Sequence, residues 1–90
     1  MENELLEALS TAMSDFEEAA DRVLLYRSKL LPSAREALEV TEAKYSAGEA
    51  PILDVIDSER TLLELQRIYW RAVGDAQSRL VEMQTLVGDE

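Results

Sequence analysis

The sequence predicts an all-α protein, an elongated antiparallel helical hairpin or coiled coil with an additional N-terminal helix. Apolar residues recur at alternating spacings of three and four along most of the chain, which places them on one side of an α-helix. No sustained alternation of apolar and polar residues indicates a strand. Gly48 and Pro51 interrupt the helical pattern near the middle of the chain, which is typical of a short turn between two helices.

Residues 1–31 are predicted to form the first helix. Pro32 lacks a backbone donor and disfavours α geometry at Leu31, so we expect the helix to kink or restart there. We favour a restart, because good helix formers follow Pro32 at once. The main apolar stripe of this helix consists of Leu6, Leu9, Met13, Phe16, Ala20, Val23 and Leu30, with Leu5, Ala12, Ala19, Leu24 and Leu31 beside it.

Residues 32–47 and 50–87 are predicted to form the two helices of the hairpin, with residues 47–51 at its tip. Gly48 readily adopts the left-handed conformation that ends many helices. Pro51 has the backbone angle that the first turn of the next helix requires. The expected contact face of the shorter helix is poor in large apolar groups and consists of Ala34, Ala37, Leu38, Thr41 and Tyr45.

The last helix carries more apolar surface than one neighbour can cover, so we expect neighbours on two sides. At about 1.5 Å per residue it is about 50 Å long, too long for a compact monomer of 90 residues to bury. We therefore expect other copies, or other parts of a parent protein, to complete the fold. Its central stripe is Val55, Leu62, Tyr69, Ala76 and Met83, flanked by Leu65, Ala72 and Leu86 on one side and by Ile56, Leu63 and Trp70 on the other.

The composition argues against several function classes. Nine Lys and Arg accompany nineteen Asp and Glu, a formal net charge of −10, which opposes binding to nucleic acid or to an anionic membrane surface. The chain has no Cys and no His, so it lacks thiolate ligands, the commonest metal ligand and the commonest general base. We expect no catalytic residue, no cofactor, no metal site and no enzymatic activity.

Two acids, Asp54 and Asp57, lie three positions apart and share one helix face. Acids in the opening turns of a helix interact favourably with the positive end of its dipole. A glycosidase-type pair needs a cleft and a second element, and a metal site needs more converging oxygens. The residues alone therefore favour a role in starting the helix.

A longer pattern, covering roughly residues 15–88, resembles a known family. The chain resembles the C-terminal helical hairpin of TolC-like outer-membrane efflux channels, including the heavy-metal and multidrug branches that work with resistance-nodulation-division pumps. The segments that carry the resemblance are "LLP" at 30–32, Tyr45 and Gly48, "LDVID" at 53–57, "TLL" at 61–63, Tyr69 with Trp70, and Val87 with Gly88.

This resemblance implies a homotrimer that forms an α-helical tunnel across the periplasm of a Gram-negative cell envelope. The chain is then one part of the tunnel wall and a piece of a longer protein, with residues 1–31 near the tunnel's equator. The implied partners are a periplasmic adaptor (membrane fusion) protein and an inner-membrane pump. The channel is a passive conduit for export, and the isolated fragment is expected to self-associate through its exposed stripes.

The resemblance also assigns roles around the turn. The gate residues it implies are two acids that ring the periplasmic entrance in threefold repetition and an aromatic that keeps the entrance closed. The tip matches the surface that docks the adaptor. The gate residues are Asp54, Asp57 and Tyr45, and the docking tip is Gly48, Glu49, Ala50 and Pro51.

Three positions depart from the family pattern. Pro51 stands where many members have Ser or Thr, and Ala50 stands where some carry an arginine that ties the gate shut. Ser58 and Glu59 replace a commoner Ala-Gln pair. An alternative hypothesis from another class is a free-standing helical scaffold or adaptor that self-associates through its apolar stripes.

Overall fold

The computed structural model describes residues 2–88, and the chain is helical over almost all of them. Helix α1 spans Glu2–Leu25, a π-helical turn follows at Tyr26–Leu30, helix α2 spans Leu31–Ser46 and helix α3 spans Ile52–Gly88. Residues 2–88 contain no strand. The predicted all-α helical hairpin is therefore confirmed, with α1 as the additional N-terminal helix.

The helices form two compact units. The first unit consists of α1 up to Val23 together with α3 from Trp70 onward. The second unit consists of residues 24–69, which include the π-helical turn, α2 and the first half of α3. Helix α3 therefore contributes to both units.

In the first unit, α1 and α3 run antiparallel and meet through small side chains. Asp15 of α1 forms an ion pair of 3.7 Å with Arg79 of α3, and earlier residues of α1 lie beside the last turns of α3. The buried residues of this unit are Ala12, Ala19 and Ala72. Because alanine adds little bulk to a helix surface, two helices can approach closely where alanines face each other.

The predicted α1 stripe is confirmed in part, since five of its seven residues are half-buried: Leu9, Phe16, Ala20, Val23 and Leu30. Leu6 is 62% exposed and Met13 is 46% exposed, whereas Ala12 and Ala19, which we placed beside the stripe, are buried. Both sets of residues have helical spacing, so spacing alone could not choose between them. The alanines are the buried set because α1 packs against α3, and small side chains let the two helices approach more closely than large ones do.

In the second unit, α2 and the first half of α3 form the antiparallel hairpin. Its buried residues are Leu31, Ala34 and Val55. Near the turn the hydroxyl oxygens of Thr41 and Ser58 lie 3.1 Å apart. Thr41 donates its proton to the carbonyl of Ala37 at 2.7 Å, so Ser58 is the donor in the pair. This hydrogen bond joins side chains of α2 and α3 directly.

The predicted central stripe of α3 is confirmed, since all five of its residues are buried or half-buried, as are Leu65, Ala72 and Leu86 on one flank. The opposite flank is different. There Ile56 is 38% exposed, Leu63 is 60% exposed and Trp70 is 66% exposed. Helix α3 thus buries one side of its apolar surface and presents another to solvent.

The join between α1 and α2 is a π-helical turn rather than a break. The backbone N–H of Leu31 donates to the carbonyl of Tyr26, five residues earlier, and the hydroxyl of Ser28 donates to the carbonyl of Leu24. Helix α2 begins at Leu31 with Pro32 in its first turn, as a restart requires, yet the backbone stays helical throughout. The wider turn gives room to the proline ring, which would crowd a regular α-helix at this point.

The end of α2 has the hydrogen bonds of a Schellman motif. The N–H of Gly48 donates to the carbonyl of Tyr45 at 3.0 Å, and the N–H of Glu49 donates to the carbonyl of Lys44 at 2.8 Å. Gly48 has a φ of 76°, the left-handed conformation that this motif requires. The predicted role of Gly48 is confirmed, and α3 begins at Ile52, directly after Pro51.

Gly48→Ala is expected to destabilise the chain by about 1–2 kcal/mol, because an L side chain is strained in the left-handed conformation. The matched control is Gly74→Ala within α3, where an added Cβ meets no atom within 4 Å. That control should stabilise the chain by about 0.5–1 kcal/mol, since alanine loses less backbone entropy in a helix. Urea unfolding followed by far-UV circular dichroism measures both, and stabilisation by both changes would contradict the assignment of the turn.

A double-mutant cycle tests the hydrogen bond between Thr41 and Ser58. We expect Thr41→Val and Ser58→Ala to show a coupling of about 0.5–1.5 kcal/mol in the free energy of unfolding. Thr85→Val combined with Ser58→Ala is the control, because the Thr85 hydroxyl bonds only within its own helix, to the carbonyl of Val81 at 2.9 Å. That pair should be additive, and equal coupling in both cycles would argue against the cross-helix bond.

Candidate functional site

The predicted site residues all lie in the second unit, at or next to the turn between α2 and α3. Tyr45 is in the last turn of α2 and is 47% exposed. Gly48, Glu49 and Pro51 are exposed, and Ala50 is half-buried. The structure therefore brings the gate and tip residues to one end of the hairpin.

Asp54 and Asp57 project from the opening turns of α3. Asp54 lies in the first turn, and its backbone N–H donates to the carbonyl of Pro51 at 3.1 Å. The carbonyl of Asp57 accepts a hydrogen bond from the Thr61 hydroxyl at 3.0 Å. Both acids are exposed, and neither carboxylate forms an ion pair with any other residue of the described chain. Their charges therefore face water.

Apolar side chains lie beside these acids at the start of α3. Ile52 is 49% exposed and Leu53 is 61% exposed. Together with Ile56 they give the first turns of α3 an exposed apolar surface next to the turn. Such a surface can bury its apolar area against a protein partner.

The described residues offer negative charge and apolar surface at this site. Within residues 2–88 no group of three or more Asp, Glu, His or Cys side chains is arranged to hold a metal ion. Asp54 and Asp57 lie three positions apart on one side of α3, and both are exposed. The geometry therefore presents fixed negative charge and apolar surface at the hairpin end.

Sequence reasoning missed a charged cluster in the first unit. Arg79 contacts Asp75 and Glu82 of its own helix, both at 3.6 Å. It also reaches Asp15 of α1 at 3.7 Å. The sequence spacing could have indicated this contact with α1. Arg79 follows Ala72 and Ala76 of the contact face of α3 at spacings of four and three, so it lies on the same side of the helix.

One curated relative is similar in sequence to nearly the whole chain. The chain is 31% identical over 97 aligned residues to the pyoverdine export outer membrane protein OpmQ of Pseudomonas aeruginosa strain PAO1. The alignment covers 97% of this chain and 19% of that relative. No family model matches the chain, and no solved structure matches it.

The chain is therefore similar, along nearly its whole length, to one part of an outer-membrane export protein, in agreement with its resemblance to TolC-like outer-membrane efflux channels. The chain spans about one fifth of the length of the curated relative it matches. Between residues 2 and 88, none of the helices combines the length and the apolar character needed to cross a membrane.

Amide substitutions separate a structural role of the two acids from a functional one. Asp54→Asn should lower the free energy of unfolding by about 0.3–1 kcal/mol, because the carboxylate in the first turn interacts with the helix dipole. Asp57→Asn should change it by less than about 0.5 kcal/mol, since that exposed acid lies a turn further on. Urea unfolding at low ionic strength measures both, and a loss above about 2 kcal/mol for Asp57→Asn would mean that the acid is structural.

Proposed function

We propose that the chain is a periplasmic tunnel segment of a trimeric outer-membrane efflux channel. The observation that carries the proposal is the match of almost the whole chain to an outer-membrane export protein, together with a hairpin whose end presents exposed acids. The segment has no chemistry of its own. It forms part of the wall and part of the entrance of a passive conduit through which exported compounds pass.

The two acids form the charged part of the entrance. Asp54, Asp57 and Thr61 lie at helical spacing on one side of α3, and all three are exposed. Three copies around an axis would then place rings of carboxylates around a water-filled opening. Such rings favour cations and repel one another, which makes the opening sensitive to ionic strength.

Tyr45 and the tip complete this site. The Tyr45 ring lies at the end of α2, 47% exposed, where it can close the opening by contact with a neighbouring copy. The turn at residues 47–51 and the exposed Ile52 and Leu53 form the surface for the periplasmic adaptor. The adaptor in turn joins the channel to an inner-membrane pump.

Disulfide crosslinking in the full-length channel tests the acid ring. Asp54→Cys should form a disulfide between neighbouring subunits in the closed channel, because the ring brings three copies of this position together around the axis. Non-reducing electrophoresis after mild oxidation measures the fraction of crosslinked subunits.

Glu59→Cys is the matched control for this experiment. Glu59 follows Asp54 by five residues, and at 3.6 residues per turn it lies on a nearly opposite side of α3. Its crosslinked fraction should stay low. Equal crosslinking at both positions, or none at Asp54→Cys in a closed channel, would contradict the proposed entrance.

A further inference from the structure

The shielded residues of α1 and the π-helical turn follow a regular alternation of spacings. From Leu5 to Leu30, buried and half-buried residues recur at spacings of four, three, four, three, four, three and four. This alternation averages close to 3.5 residues per turn and keeps the residues on one side of a helix. We call these positions the contact line. They are Leu5, Leu9, Ala12, Phe16, Ala19, Val23, Tyr26 and Leu30, with Asp15 and Ala20 beside them.

The contact line continues in α2 one residue late. Regular alternation predicts the next contacts three, seven and ten residues after Leu30, but the residues at those positions are exposed. The residue that follows each of them is buried or half-buried instead. The exposed residues are Ser33, Ala37 and Val40, and the shielded ones are Ala34, Leu38 and Thr41.

The shift means that the chain carries one surplus residue between α1 and α2. Ala34 follows Tyr26 by eight positions, whereas two regular turns of an α-helix hold about seven residues. A regular helix would therefore carry Ala34 past the contact line by most of the angle that one residue spans.

The π-helical turn lies where the surplus residue has to be placed. The backbone N–H of Leu31 donates to the carbonyl of Tyr26, five residues earlier, so this turn holds about one residue more than an α-helical turn does. One wide turn followed by one regular turn covers the eight positions from Tyr26 to Ala34. Ala34 thereby returns to the contact line.

Pro32 explains the position of the wide turn but not the shift in the contacts. A proline lacks the N–H that would donate to the carbonyl of Ser28, and its ring crowds that carbonyl. A wide turn just before Pro32 relieves this crowding. The proline has no influence, however, on how many residues separate two contact positions, and that number is eight here instead of seven.

We propose that the π-helical turn is a phase-setting device, which accommodates the surplus residue and so turns the contact side of α2 toward α3. Without it, α2 would be rotated about its own axis by about 100°, the angle that one residue spans in an α-helix. Val40 would then take the place of Thr41, whose hydroxyl oxygen now lies 3.1 Å from that of Ser58. The turn thus also decides which side of α2 stays exposed at Tyr45. The inference concerns the helices alone and does not depend on the proposed channel.

A series of length variants tests this inference. Deletion of the exposed Ser28 leaves seven positions from Tyr26 to Ala34, so a regular α-helix should join the same contact residues. The midpoint of thermal unfolding, followed by far-UV circular dichroism, should stay within about 5 °C of that of the parent chain. Insertion of one alanine after Ser28 gives nine positions, which one wide turn does not cover. That insertion should lower the midpoint by more than about 10 °C.

Deletion of Ser14 is the matched control, because Ser14 is an exposed serine of α1 in a stretch where the alternation is regular. Its loss would rotate Leu5, Leu9 and Ala12 away from the rest of the contact line. The midpoint should therefore fall by more than about 10 °C. Equal loss on deletion of either serine, or equal loss on shortening and lengthening the chain at Ser28, overturns the inference.

Amide hydrogen exchange separates the surplus residue from Pro32 as the cause of the wide turn. Exchange between Val23 and Ala34 is compared with exchange in residues 12–19 of the same variant. Deletion of Ser28 should slow this relative exchange severalfold, because a regular helix replaces the wide turn. Pro32→Ala keeps all eight positions and should leave the relative exchange close to that of the parent chain. If Pro32→Ala slows it as much as the deletion does, the proline alone causes the turn and the inference is wrong.

Discussion

In each of the two units, helices pack along one contact stripe, and this limit governs the rest of the molecule. The six buried apolar residues include four alanines, and among the described residues no large side chain is fully buried. Full burial of a large aliphatic side chain contributes roughly 1.5–3 kcal/mol, whereas ordering the backbone costs about 1–2 kcal/mol per residue. The buried core of each unit is therefore small, and the exposed apolar faces of the helices are available for contact with other parts of an assembly. The buried residues are Ala12, Ala19, Leu31, Ala34, Val55 and Ala72.

Features set by local chemistry could be predicted from the sequence. The left-handed Gly48, the turn and the central stripe of α3 all depend on residues close together in the chain, and the structure agrees with each. The π-helical turn could not be predicted, because Pro32 is compatible with a kink, a restart or a wider turn. The centre of the α1 stripe and the contact between Asp15 and Arg79 also escaped prediction, since both depend on how α1 lies against α3. Of the candidate site, its location at the end of the hairpin followed from the sequence, whereas the exposure of each side chain required both helices in place.

The starting role of Asp54 in α3 is compatible with a role at an entrance. In a single chain the Asp54 carboxylate is exposed, so it interacts favourably with the positive end of the helix dipole while it stays hydrated. Two unit charges about 10 Å apart in water interact by only about 0.4 kcal/mol. Three copies around an opening would therefore repel one another weakly at high ionic strength and more strongly as the opening narrows and excludes water. The same acid can thus start the helix in every copy and oppose tight closure in the assembly.

Exposed acids in this chain are of two kinds, and their surroundings distinguish them. Asp54 and Asp57 stand on a polar helix face, where water satisfies the charge at no cost. Glu4 and Glu7 share a trough with alanines and a leucine, and covering that trough with an apolar partner would strip water from their carboxylates. Removing a charge from water without an opposite charge is strongly unfavourable. Carboxylates that stay in water avoid this loss, whereas carboxylates beside apolar surface avoid it only when a cation accompanies whatever covers them.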